Sequence, residues 1–335
     1  MFKQESIEDI LQKNNFTEIL STFQNVSTDY YTKRYMALLS DTIFPIQATI
    51  GSFLNFSAFA LLVSLRMNTR VYNYLILKFF FQGILSTCLI FMGDSACMSC
   101  LANWVNYQYV LWYKIYVIQW AVDSVTLMIG LTEILLTFDR FYLLRGAKKS
   151  SARYQLKYIV MGVIFFSIIL HIFTIRVFKI EHVTENIYQR SWSEFGNSFL
   201  FEIYYFGVLN VVKLSLLILY LVLVILVVIY YRKFIVNKKK LRNSISEKAR
   251  NDNNITKMII SFGVLYFFAS IFVVMSHAIA LFEELEKSYN SILIIIRLTG
   301  YFVSIGNLSL SALVIVCNDI NINKKLRQIF LNEKK

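Results

Sequence analysis

Proline, glycine and charged residues are all scarce in this sequence of 335 residues. Proline occurs once, at Pro45, glycine occurs 11 times, and only 16% of the residues are charged. Soluble domains contain about 25% charged residues and about 5% proline, so charge is too scarce here to cover the surface of a soluble globule. Because 57% of the residues are hydrophobic and 16% are aromatic, the composition also excludes a disordered or low-complexity chain.

Histidine and cysteine are rare as well, with three and four copies. Four cysteines over this length do not form a disulfide scaffold. None of them has the spacing to a histidine that a zinc site requires. We therefore expect no metal ion and no other cofactor.

Seven long apolar runs are what the sequence contains instead. A run of about 18 apolar residues crosses a hydrocarbon core of about 30 Å as a helix, and backbone polar groups in hydrocarbon must be paired within their own segment. The predicted fold class is therefore all-α, a membrane bundle of seven transmembrane helices over 42–317, between an extracellular segment, 1–41, and a cytoplasmic tail, 318–335. The predicted spans are 42–65, 71–93, 109–138, 158–177, 203–231, 258–282 and 289–316.

The positive charge of the chain, formally +13, is concentrated in alternate loops. Most of the 34 Lys and Arg residues lie in those loops and the C-terminal tail, which the positive-inside rule assigns to the cytoplasm. We therefore predict a multi-pass plasma-membrane protein with its N-terminus outside, and we expect its basic loops to attract the anionic inner leaflet or an acidic cytoplasmic partner rather than nucleic acid. The sequons at Asn15 and Asn25 then predict a glycoprotein.

Asp139, Arg140 and Phe141 end the third apolar run. An Asp-Arg-aromatic triplet at the inner end of a third helix, with the N-terminus outside, resembles the rhodopsin-like family of G-protein-coupled receptors. The resemblance implies a receptor that binds an extracellular ligand and transmits a conformational change to a heterotrimeric G protein. It also implies that Arg140 pairs with an acid at rest and is released on activation. The alternative is that Asp139 and Arg140 are ordinary interfacial charges at a helix end.

Other segments resemble the same family. Asn55, in the first run, takes the place of a polar contact between helices. If Thr256 is aligned with the entry to the sixth helix, Asp252 takes the place of the acid that pairs with the third-helix arginine; the alternative is a solvated aspartate in a loop. The amphipathic stretch 318–330 resembles the family's short eighth helix on the membrane surface, and the adjacent Cys317 is either a palmitoylation site or a plain buried cysteine.

The sequence also departs from the family pattern. The prolines of the fifth, sixth and seventh helices are absent, and no cysteine lies between Cys100 and Cys317 to form the family's disulfide from the third helix to the second outer loop. Gly83 stands where the family has an aspartate, which argues against its sodium site. These departures indicate a divergent branch, such as the invertebrate chemoreceptors or a peptide-receptor-like group.

Ionisable residues inside membrane spans are costly and indicate functional positions. Asp123, His277 and Arg297 belong to three predicted helices and lie in their outer halves, so we predict that they bind a polar or ionised group of a small-molecule or peptide ligand. The alternative is that charges near the outer ends only reach the membrane surface. Glu133 lies deeper, and we expect it to pair with a structural partner such as Lys78.

A membrane transporter or a ligand-gated channel of seven helices is the main alternative to a receptor. Transporters usually contain repeated halves and helices broken by Gly or Pro, and the sequence shows neither. Seven-helix receptor channels have their N-terminus inside, contrary to the charge distribution. We do not expect an enzyme, because no His-rich or Ser-His-Asp set lies at one depth of the predicted spans.

Overall fold

The computed structural model of the protein describes residues 42–65, 70–90, 112–145, 153–184, 187–240, 247–283, 290–319 and 322. A helix occupies each of the seven predicted runs. In chain order they are α1 (Phe44–Leu65), α2 (Arg70–Ile90), α3 (Val122–Leu144), α4 (Arg153–His171), α5 (Val211–Lys240), α6 (Glu247–Glu283) and α7 (Asn290–Asn318).

At one end of the fold, three helices continue in other helical forms. We call this end outer and the opposite end inner, because the charge distribution predicts that it faces outside. A π-helical segment, Tyr113–Ala121, leads into α3, and a second one, Ile203–Asn210, leads into α5. A short 3₁₀ segment, Ile172–Arg176, follows α4. One helical turn, Phe199–Glu202, precedes the second π segment and begins at Ser198, whose hydroxyl accepts a hydrogen bond from the Phe201 N–H.

The helices are long and apolar enough for a membrane. Six helical stretches of the described residues meet that requirement, and the described end of α7, Phe302–Asn318, is a shorter apolar helix. Large apolar side chains stand exposed along α4 and α5, among them Tyr158, Phe165, Ile218 and Val222. Such exposure would be unfavourable in water and is the normal surface of a lipid-facing helix. The prediction of an all-α membrane protein is confirmed at this level.

Two helices extend beyond their predicted inner ends. α3 continues past residue 138 to Leu144, so Asp139, Arg140 and Phe141 lie inside the helix. α6 begins at Glu247, about three turns before the predicted start of its apolar run, so Asp252 belongs to a helix rather than to a loop. The first turn of α6 contains Glu247, Lys248, Ala249 and Arg250, all strong helix formers, and a helix can continue beyond the membrane once water solvates its side chains.

The exception to the all-helical prediction is a β-hairpin between α4 and α5. Strand β1 (Phe178–Thr184) pairs antiparallel with β2 (Ile187–Trp192), with Phe178 opposite Trp192 and a register irregularity between His182 and Thr184. Phe178 and Ile180 alternate with Lys179 and Glu181, which is the period-2 pattern of a strand. Such an alternating segment is not a long apolar run, so the predicted spans did not include it.

Helix α3 lies at the centre of the packing. It contacts α2, α4, α5 and α6, while α1 contacts α2 and α7, and α7 also contacts α6. The main apolar core draws on five of these helices and includes Leu62, Leu75, Phe79, Leu136, Ile259 and Ile315. A displacement of α3 would therefore change the packing of most of the other helices.

Small residues bring α1, α2 and α7 close together. A Cβ atom on Gly51 would lie 2.9 Å from the Ser309 hydroxyl oxygen and 3.1 Å from that of Ser86. Asn55, one turn further along α1, is fully buried and donates its amide hydrogen to the Gly51 carbonyl at 2.7 Å. Small side chains are the usual means by which membrane helices approach without a hydrophobic driving force.

Candidate functional site

The outer polar site consists of Asp123 on α3, His171 at the end of α4 and Lys213 on α5. Lys213 Nζ lies 3.9 Å from Asp123 Oδ1, and the two side chains are 27% and 39% exposed. His171 is fully buried, and both Asp123 and Lys213 act on it electrostatically. Its Nδ1 bonds the Ser167 carbonyl oxygen at 3.0 Å, whereas its Nε2 has no hydrogen-bond partner within the described ranges.

The three residues lie at one end of the fold. Asp123 lies in the first turn of α3, Lys213 in the first turn of α5, and His171 in the last turn of α4. The π segment before α3 also contacts the 3₁₀ segment after α4. Two of the three follow directly on π-helical segments, which occur frequently at functional sites.

The β-hairpin is held against this site by apolar contacts. Ile115 of the π segment before α3 forms a buried cluster with Val177, Phe178 and Phe201. In addition, the Tyr204 hydroxyl donates a hydrogen bond to the Leu170 carbonyl oxygen. The Ser193 hydroxyl donates one to the Arg176 carbonyl oxygen. Apolar packing and these local bonds thus hold the connection between α4 and α5, a segment that contains no cysteine.

The middle of α3 carries a buried ion pair. Glu133 Oε1 lies 2.5 Å from Lys78 Nζ on α2, and both side chains are shielded from solvent. Lys78 Nζ also lies 3.2 Å from the centre of the Phe262 ring on α6, a cation–π contact. The expected partnership of Lys78 and Glu133 is therefore present, and Phe262 links it to a third helix.

An aromatic pair packs beside this ion pair. The Tyr220 and Tyr266 rings of α5 and α6 meet edge to face at 4.9 Å. A Cβ atom on Gly130 of α3 would lie only 2.5 Å from the Tyr266 hydroxyl oxygen. The absence of a side chain at Gly130 is therefore what allows α3 and α6 to approach at this level.

Arg140 occupies the inner end of α3. Its side chain is only 5% exposed, although Arg145, at the C-terminus of the same helix, is exposed. The adjacent Phe141 meets the Tyr230 ring of α5 edge to face at 5.4 Å. The Tyr231 hydroxyl donates to the Asn253 side-chain oxygen on α6 at 2.5 Å. The inner ends of α3, α5 and α6 are thus joined by aromatic and polar contacts around a buried arginine.

A second inner contact joins α2 to the residue that follows α7. The buried Tyr72 hydroxyl donates to Asp319 Oδ2 at 2.6 Å, and Asp319 Oδ1 accepts from the Ile322 N–H at 3.2 Å. An aspartate that accepts the N–H three residues later acts as a helix N-cap. Asp319 thus has the hydrogen bond of an N-cap, at the point where the amphipathic helix is predicted to begin.

Several predicted site residues lie outside this description. Asp252, His277 and Arg297 lie in α6 and α7, but their side chains are outside the described residues, as are Asn15, Asn25 and most of 318–335. Cys317 is exposed rather than buried. Of the three predicted ligand residues, Asp123 is thus the one whose surroundings are known, and Lys213 and His171 lie beside it.

The sequence contained partial signals for the residues that it did not identify. His171 and Lys213 stand out as ionisable residues in apolar runs, but nothing local relates them to Asp123. Asp319 lies at the start of the predicted amphipathic stretch, in the N-cap position. Its contact with Tyr72 joins residues 247 positions apart in the chain, and only the fold reveals it.

Comparison with models of known protein families found no match, and comparison with curated proteins found none either. The case for a function therefore depends on these residues and their geometry.

Proposed function

We propose that the protein is a divergent rhodopsin-like G-protein-coupled receptor of the plasma membrane. In this proposal the seven helices form a transmembrane bundle with the N-terminus outside. An extracellular small-molecule or peptide ligand binds at the outer polar site. The inner ends of α3, α5 and α6 pass the resulting conformational change to a heterotrimeric G protein.

The burial of Arg140 carries this proposal. An arginine at the end of a membrane helix can extend to water at little cost, as the exposed Arg145 does one turn later. Arg140 instead packs inward, with 5% of its side chain exposed. Burying a guanidinium is expensive unless its partners compensate, so a buried arginine at this position favours a switch over an interfacial charge.

The layout of α3 supports the same function. This helix carries Asp123 near its outer end, Glu133 in its middle and Arg140 near its inner end, and it contacts α2, α4, α5 and α6. A ligand that displaces α3 at Asp123 moves the same helix that carries Arg140 near its other end. Coupling between distant sites requires such an element with two arrangements.

Substitution of Arg140 tests the proposal. We expect Arg140→Ala to abolish G-protein activation, because alanine offers no guanidinium fork to a carboxylate or backbone acceptor. The measurement is nucleotide exchange on co-expressed G proteins, in the basal state and with a panel of peptides and small odorants, normalised to surface level. Arg145→Ala removes an equal charge from the same helix end and should leave activation unchanged.

Normal activation by Arg140→Ala at normal surface level would contradict the proposed switch. Ion or solute flux through the purified wild-type protein, without any nucleotide exchange, would instead favour the channel or transporter alternative.

A further inference from the structure

The outer polar site contains two opposite charges that are close together but only weakly paired. The 3.9 Å between Lys213 Nζ and Asp123 Oδ1 is longer than a hydrogen bond, whereas the buried Lys78–Glu133 pair is at 2.5 Å and the exposed Lys179–Glu181 pair on β1 is at 2.7 Å. The hydrogen bond within that exposed pair raises the pKa of Lys179 and lowers that of Glu181. Asp123 and Lys213 thus each retain hydrogen-bonding capacity for another partner.

Both charged side chains are only partly exposed, at 27% for Lys213 and 39% for Asp123. Both residues belong to helical stretches apolar enough to cross a membrane, and charged side chains in such segments usually face the interior of the helix bundle or water rather than lipid. His171 closes the site on the α4 side. Its Nδ1 is bonded to the Ser167 carbonyl of its own helix, whereas its buried Nε2 has no hydrogen-bond partner among the described residues, and the charges of Asp123 and Lys213 both act on the ring.

The two charges restrict which ligand can bind. A purely cationic ligand would pair with Asp123 and leave Lys213 without a partner, and a purely anionic ligand would do the reverse. A bound ligand removes water from both side chains, and leaving one charge unpaired once its water is removed is strongly unfavourable. A ligand with both an ammonium and a carboxylate satisfies both residues at once, and the short separation of Asp123 and Lys213 requires its two charges to be adjacent.

We propose that the outer polar site binds a small zwitterion of the α-amino-acid type, with its ammonium on Asp123, its carboxylate on Lys213 and a hydrogen bond to His171. This inference rests on the proposed receptor function, since it identifies the ligand class of that receptor. The ligand class and the receptor function can nevertheless be tested separately, because binding can be measured without a G protein.

Thermal unfolding of the full-length protein in lipid nanodiscs tests the proposal. The probes are free amino acids with diverse side chains, each compared with its decarboxylated amine and its deaminated acid. We expect at least one amino acid to raise the melting temperature, with an apparent affinity at least tenfold above those of its two single-charge analogues. Stabilisation by none of the amino acids, or equal stabilisation by an amine or an acid, would overturn the proposal.

Variants of the two charged residues sharpen the test. Asp123→Asn should weaken binding of the amino acid tenfold or more and shift the preference toward the deaminated acid, whereas Lys213→Gln should shift it toward the amine. The exchanged pair Asp123→Lys/Lys213→Asp preserves both charges and should retain the preference for the zwitterion. This double variant therefore tests the zwitterion site even if one of the single variants does not fold. Glu181→Gln changes an exposed carboxylate of the hairpin and should have no effect. Unchanged binding in both single variants would overturn the proposal.

A cell assay with the same compound separates this inference from the receptor function. Binding that follows the predicted charge preferences without G-protein activation would uphold the site and contradict the receptor. Activation by a ligand that ignores both substitutions would uphold the receptor and contradict the zwitterion site.

Discussion

At the scale of single residues, three Lys–carboxylate pairs of the described residues differ in distance and burial, and those differences suggest different roles. Lys78 and Glu133 are fully buried in direct contact, and Phe262 covers the ammonium. Such a pair adds little net stability compared with apolar residues, but it becomes costly when one member is removed. It therefore acts mainly to specify how α2, α3 and α6 fit together.

Neutralising one member of this pair tests that role. We expect Lys78→Met to lower the free energy of unfolding by about 3–5 kcal/mol, because it leaves the Glu133 carboxylate buried without its partner. The double substitution Lys78→Met/Glu133→Leu should recover most of that loss. The measurement is thermal unfolding in detergent, with Lys179→Gln as an exposed control that should leave the melting temperature unchanged. A double variant as unstable as Lys78→Met would show that the pair itself stabilises the fold.

At the scale of helices, close approach depends on positions without a side chain. Gly130 of α3 lies under the Tyr266 hydroxyl of α6, whereas a Cβ atom on Gly162 of α4 would have no neighbour within 4 Å. The two glycines therefore have different structural roles although both lie in apolar helices. The distinction matters because α3 and α6 carry the residues proposed to act in signalling.

Alanine substitution separates the two glycines. Gly130→Ala should destabilise the protein by about 1–3 kcal/mol, since the methyl group must displace the Tyr266 ring. Gly162→Ala should be neutral or stabilising by up to about 1 kcal/mol, because alanine is the better helix former. Both changes in stability are measured as shifts in the melting temperatures of the purified variants.

A second substitution identifies the cause. Tyr266→Phe removes the hydroxyl that the Gly130 methyl group would meet, and the next ring atom, Tyr266 Cζ, is at an ordinary 3.5 Å. The combination Gly130→Ala/Tyr266→Phe should therefore be more stable than the two separate effects predict, a non-additivity expected of residues in contact. Strict additivity would mean that α3 and α6 do not approach as closely as described.

At the scale of the whole molecule, orientation in the membrane decides which end meets a ligand. The positive-inside rule predicts that Asp123 and the hairpin face outward, and that Arg140 and the Tyr72–Asp319 contact face the cytoplasm. The hairpin and the π-helical segments then lie on the ligand side. The long, partly polar inner extensions of α5 and α6 lie on the side of a cytoplasmic partner.

Epitope tags test the orientation directly. A tag before Phe2 should be stained by antibody on intact cells, whereas a tag after Lys335 should be stained only after permeabilisation. Both tagged proteins are first checked for equal total expression. The opposite pattern would turn the outer polar site toward the cytoplasm and contradict both the receptor function and the extracellular zwitterion site.

The sequence by itself determined the class of fold, because the length and composition of an apolar run are local properties and the backbone in hydrocarbon has few alternatives to a helix. It also indicated that Lys78 and Glu133 would pair, since both are ionisable residues deep in apolar runs. The tertiary structure alone decided the other contacts across helices. Lys213 and His171 join Asp123, Phe262 covers Lys78, and Tyr72 reaches Asp319. These contacts depend on the rotation and depth of each helix against its neighbours, and a uniformly apolar helix such as α5 carries almost no periodic signal from which that rotation can be read.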